Sequence, residues 1–92
     1  MTKVMMNIDE ISGMYYECIE HSGDHDVCTI VSTLSNVLAE ECFIAGHEPT
    51  IYNKGHVRID MPYSKGAYEV FRAVEGVMHQ VARQHPDHIK IY

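Results

Sequence analysis

The sequence predicts an α+β fold with the order β-β-α-β-β-α-β, a mostly antiparallel sheet with two helices packed on it. Three observations carry this expectation. Two long segments place apolar residues at helical spacing, and the segments around them are short, β-favouring runs. The turn residues between those runs, above all Asn53-Lys54-Gly55, signal hairpins, which join antiparallel neighbours. A sheet built from hairpins needs one apolar face covered, and two amphipathic helices do that.

Lys3 to Ile8 reads as a first strand, and Asp9-Glu10-Ile11-Ser12-Gly13 as the turn after it. Met14 to Ile19, rich in aromatic and β-favouring residues, reads as the second strand. The first helix is expected from His25 or Asp26 to Phe43, where Val27, Ile30, Val31, Leu34, Leu38 and Cys42 form one stripe. Asp24 or Asp26 can accept from its free N-terminal amides, and Gly46 suits its C-terminal cap. Thr50–Tyr52 and His56–Met61 form a hairpin, with Pro49 on its approach and Pro62 ending it. Along His56–Met61, Val57, Ile59 and Met61 point one way and His56, Arg58 and Asp60 the other. A second helix follows, Ala67 to about Gln84, with Ser64 as its cap and Pro86 as its stop. Its stripe is Ala67, Val70, Phe71, Val74, Val77, Met78 and Val81. His88–Tyr92 alternates as a last short strand.

A chain of 92 residues is one small domain with a single core. Its formal charge of −6, from 7 Lys+Arg against 13 Asp+Glu, opposes direct binding to nucleic acid or an anionic membrane. No apolar run approaches a membrane span and no signal-peptide core is visible, so the cytoplasm is the expected compartment. Cys18, Cys28 and Cys42 are odd in number and show no staple-like spacing, which suits thiols in a reducing environment. Seven histidines bring metal binding into consideration.

The chemistry gathers in Glu20–Leu34, where a polar turn gives way to the first helix. Cys28 falls in the first helical turn, where unpaired amides favour a thiolate. A step of about 100° per residue sets it at the edge of the buried stripe, held by packing yet reachable. Cys18 and Cys42 read as small buried apolar residues. A thiol attacking a carbonyl needs a base, and His21 and His25 are the local choices. His25 lies three residues before Cys28, and the turn after His21 can fold that ring back across the helix start. Ser22, Gly23, Asp26 and Ser32 would line such a site, and helix-start amides could hold an oxyanion. Asp24 and Asp26 work against thiolate formation.

The run Asp26-Val27-Cys28-Thr29-Ile30-Val31-Ser32-Thr33-Leu34 resembles the helix-start segment of the ribosomal-processing cysteine protease (Prp) family, at Val27, Cys28, Val31, Ser32 and Leu34. The N-terminal strands, the glycine before the second hairpin strand and the ending His85-Pro86-Asp87-His88-Ile89-Lys90-Ile91-Tyr92 are similar in outline. The resemblance implies a Cys28–His21 dyad that hydrolyses peptide bonds without a cofactor. It also implies a homodimer and, as substrate, the N-terminal extension of a ribosomal protein or a phage structural protein. Three departures stand out. The family's Gly-His-Ala turn is Glu20-His21-Ser22 here, and the stretch from histidine to cysteine is shorter. The family aspartate three residues before the cysteine is His25, with Asp26 one place on.

Two other readings remain open on these residues. Cys18, His21, His25 and Cys28 have the ligand types and close spacing of a tetrahedral zinc site, although Cys18 and His21 would point to opposite faces of an extended strand. Alternatively, the chain keeps the fold and dimer surface and is a catalytically inactive binding or assembly module.

Overall fold

A computed structural model describes residues 1–21 and 23–92. Ser22, expected to line the site, lies outside the described residues. β1 (Thr2–Asp9) and β2 (Gly13–Ile19) pair antiparallel from Lys3↔Ile19 to Asp9↔Gly13. Their connection is set by Asp9, whose Oδ1 accepts from the Ile11 amide at 2.7 Å. Gly13 closes it with φ +96°, and a Cβ there would sit 2.7 Å from the Met61 carbonyl oxygen.

α1 (His25–Ile44), β3 (Ile51–Asn53), β4 (His56–Met61), α2 (Lys65–Gln84) and β5 (Ile89–Ile91) complete the expected order. The sheet runs β3-β4-β2-β1-β5. Every pairing is antiparallel except β1 with β5, which is parallel because α2 carries the chain back across the sheet. Both helices cover one face. Tyr16, Cys18, Ile59 and Met61 from the sheet meet Val27, Val31 and Leu38 of α1 and Phe71, Val74 and Met78 of α2 in one buried cluster.

The helix ends follow their sequence signals. Asp24 caps α1, its Oδ1 accepting from the Val27 amide at 3.0 Å. At the other end Gly46 adopts φ +87°, so that its amide reaches the Phe43 carbonyl and the His47 amide the Cys42 carbonyl. This pair of bonds is a Schellman closure. α2 starts at Lys65, two residues before the first apolar position. Ser64 occupies its cap position with no side-chain bond to the helix.

Two stripe residues fall outside the core. Ile30 and Val77 are 37% and 41% exposed, since nothing covers the outer flanks of helices that form the second of two layers. The buried face of α1 turns instead toward Ser35 and Ala39. By length and composition α1, with 20 residues and a mean hydropathy of 1.4 over its most apolar window, is long enough and apolar enough to cross a membrane. That departs from the expectation that no apolar run approaches a membrane span, because Thr29, Ser32, Thr33, Ser35 and Asn36 interrupt the run without adding charge. Here one face of the helix is packed on the sheet, through Val27, Val31 and Leu38.

Candidate functional site

The end of β2 is fixed on both sides where it approaches α1. The Glu20 amide donates to the Gly55 carbonyl at 2.8 Å, and the N-terminal ammonium of Met1 donates to the His21 carbonyl at 3.1 Å. Asp24 then starts the helix, and its backbone carbonyl accepts from the Cys28 amide at 3.1 Å. Cys28 therefore stands in the first turn, as its spacing from the cap predicts. The Val27 amide holds the Asp24 carboxyl below the usual carboxylate range, with His88, 3.8 Å away, adding to the effect. Because the Val27 and Cys28 amides already serve Asp24, neither is idle as the oxyanion donor expected from the sequence.

A cleft of about 750 Å³ opens between α1 and the β3–β4 hairpin. Cys28, Ser32, Ser35 and Asn36 line it from the helix, and Tyr52, Asn53, Lys54, Gly55 and Val57 from the hairpin side, with Glu20 at the end of β2. Tyr52 ties the walls together. Its hydroxyl donates to Asn36 Oδ1 at 2.9 Å and its ring lies 6.3 Å from that of Phe43. Next to the thiol, Ser32 Oγ donates to Glu20 Oε1 at 2.8 Å. One helical turn separates Ser32 from Cys28, so thiol, hydroxyl and carboxylate share this part of the cleft.

Of the three thiols only Cys28 is half-exposed; Cys18 and Cys42 are buried. Burial pushes the Cys18 thiol up to about 11 and raises that of Cys42 as well. Of the other site residues read from the sequence, Ser32 joins Cys28 in the cleft. His21, Gly23, His25 and Asp26 are exposed and, among the described residues, are not part of its lining.

The zinc arrangement does not form. Among the described residues no three His, Cys, Asp or Glu side chains gather to hold a metal ion. Cys18 lies in the core on the helix side of β2, whereas His21 and His25 are exposed, so the four groups do not converge.

Sequence reasoning missed Glu20, Ser35, Asn36, Tyr52 and Lys54. For Glu20 a signal existed, because Met14, Tyr16 and Cys18 alternate inward and Glu20 is the next residue in that series. The hairpin residues carried none, since their place opposite α1 depends on the order of strands in the sheet.

No family model matches the chain, and neither does any curated protein. Solved structures do match. A structure of SMU.848 from Streptococcus mutans aligns with a TM-score of 0.73 at 20% identity, covering 99% of this chain and 91% of that one. An essential ribosomal processing protease, Prp, from S. aureus in complex with a covalently linked product peptide aligns with a TM-score of 0.77 at 15% identity, over 99% and 97% of the two chains. The same protease with a substrate peptide gives 0.72 at 12% identity, over 100% and 98%. At these identities the likeness establishes a shared fold from end to end.

Proposed function

We propose that this chain is a cysteine endopeptidase of the Prp type, with Cys28 as nucleophile and His21 as base. Its substrate would be the N-terminal extension of a ribosomal or phage structural protein, cut by a homodimer in the cytoplasm. One observation carries the reading. In a fold shared with a protease seen holding a covalently linked peptide, the one half-exposed thiol lies in the first turn of α1, on the wall of an open cleft.

In this reading His21 takes the Cys28 proton, and sulfur adds to the carbonyl carbon of the scissile bond. The proton passes to the amide nitrogen as it leaves, and water then hydrolyses the thioester. His21 is exposed and outside the cleft lining, with its backbone carbonyl bonded to the Met1 ammonium, so its imidazole would have to swing toward Cys28. His25, on the first turn of α1, is the alternative base. Gly23 and Asp26, with Ser22, would border the peptide, and Ser32 would meet it inside the cleft.

A second reading rests on a specific feature. The group sharing the cleft with Cys28 is the Glu20 carboxylate rather than an imidazole. That arrangement suits a binding or assembly module that retains the fold without the dyad.

Peptides with a large apolar or aromatic residue before the scissile bond, offered to wild type, Cys28→Ala, His21→Ala and His25→Ala, separate these readings. The protease reading expects cleavage by wild type and none by Cys28→Ala or His21→Ala. Activity that survives Cys28→Ala overturns it, and loss confined to His25→Ala moves the base onto the helix. Peptide binding without cleavage favours the module. Light scattering on the purified chain tests the dimer.

A further inference from the structure

Glu20 stands where the Prp pattern has glycine, and its side chain reaches the wall of the Cys28 cleft. We propose that this carboxylate selects the substrate by binding a cationic side chain, lysine or arginine, next to the bond presented to Cys28. The proposal deepens the protease reading and rests on it for the nature of the substrate.

The position of the carboxylate is built in at both ends. The Glu20 amide is bonded to the Gly55 carbonyl, and its Oε1 accepts from Ser32 Oγ on α1. Oε2 has no partner among the described residues, so a negatively charged acceptor faces the cleft with capacity to spare. Lys54 is the cation lining the opposite wall, and it makes no ion pair with Glu20 within 4 Å among the described residues. A guanidinium or ammonium placed beside Cys28 would supply the missing partner through a charge-assisted hydrogen bond. The wider field acts the same way, with Asp26 exposed near the helix start and a net charge of −6 drawing cationic peptides in.

A purely structural Glu20, pinning the strand end to α1 through Ser32, is separable from a selecting one. Glutamine keeps an oxygen that accepts from Ser32 and removes only the charge. The first measurement therefore needs no protease activity. Cys28 is modified with a cationic methanethiosulfonate (trimethylammonium-ethyl) and its anionic counterpart (sulfonatoethyl), and the two rates are followed by mass spectrometry. Cys18 and Cys42 are buried and Cys28→Ala gives the background. Glu20→Gln should lower the cationic-to-anionic rate ratio by about 25-fold, because one unit-charge interaction at close range in water, about fivefold in rate, speeds the cation and slows the anion alike. An unchanged ratio overturns the proposal.

The second measurement is binding of fluorescent peptides to Cys28→Ala protein, each with an aromatic residue followed by arginine, glutamine or glutamate. Arginine should bind tightest, and Glu20→Gln should remove its advantage over glutamine. Absence of an arginine preference overturns the proposal. Arginine preference in binding without cleavage by wild type upholds the role of the carboxylate and sinks the protease reading. Cleavage of all three peptides alike does the reverse.

Discussion

Tyr16 Oη of β2 and Ser35 Oγ of α1 lie 2.6 Å apart inside the core, a polar link between the sheet and the helix that carries Cys28. Burial raises the Tyr16 hydroxyl far above the ordinary tyrosine range, so it stays protonated and bonded. Ser35→Ala leaves that hydroxyl only the weakly bonding Cys18 thiol as a partner and should cost about 1–3 kcal/mol in urea unfolding. Tyr16→Phe leaves a serine that can turn back to its own helix carbonyl, so its cost should be smaller. The double variant should lose less than the sum of the two, which a double-mutant cycle measures directly.

Thr2 offers the opposite case. Its Oγ1 is fully buried at the start of β1 and has no hydrogen-bond partner among the described residues. Valine has nearly the same shape and no hydroxyl to desolvate. Thr2→Val should stabilise the fold by about 1 kcal/mol, seen as a higher melting temperature with an unchanged circular dichroism spectrum.

The three thiols should separate cleanly on alkylation. Cys18 and Cys42 are 1% and 0% exposed, and burial holds the Cys18 thiol up near 11. In the native protein at about pH 8, iodoacetamide should therefore modify Cys28 alone, because the reacting species is the accessible thiolate. Unfolding in guanidinium should expose all three to the reagent. Peptide mapping by mass spectrometry reads both results, and rapid native labelling of Cys18 would contradict the packing of β2 against α1.

Two glycines should respond to alanine with opposite signs. At Gly13 a Cβ would meet the Met61 carbonyl oxygen at 2.7 Å, in a backbone with φ +96°. Gly13→Ala should cost about 1–3 kcal/mol and loosen the β2–β4 register. Gly76 lies within α2 with open space around its Cβ position. Gly76→Ala should stabilise the protein by about 1 kcal/mol through helix propensity alone. Thermal unfolding of the two variants in parallel checks both.

Much of the fold was legible because its signals are local. Asp24 and Gly46 mark the ends of α1, and alternation alone separates Val57, Ile59 and Met61 from His56, Arg58 and Asp60. Cys28 could be placed in the first helical turn for the same reason, being counted from a cap a few residues away. What could not be read is what faces it. The wall opposite Cys28 comes from Tyr52, Lys54 and Gly55, brought there by the placement of β4 beside β2. No periodicity encodes that neighbourhood. The parallel β1–β5 pairing escaped for a similar reason, since it follows from where α2 returns the chain. Ile30 and Val77 matched the helical stripes yet stayed exposed, because a stripe gives a direction and not the width of the layer that covers it.

On the sheet face away from the helices, Glu17 joins two strands in a way that should be visible in acid. Its Oε1 accepts from the Tyr15 hydroxyl at 2.6 Å, and its Oε2 meets His56 Nε2 at 2.7 Å across the β2–β4 pair. The Tyr15 bond first, and His56 after it, hold the Glu17 carboxyl below its ordinary value of 4.5. A carboxyl depressed in the folded state binds its proton more readily when unfolded. Its contribution is therefore fully present above about pH 4.5 and disappears as the pH falls through the lower folded value. Wild type should exceed Glu17→Gln in stability at neutral pH, and the gap should close as the buffer is taken below about pH 4.5. Urea midpoints of both proteins, measured from neutral pH down to about pH 3, test this. A gap that persists undiminished at the acid end would assign the Glu17 contribution to shape and not to charge.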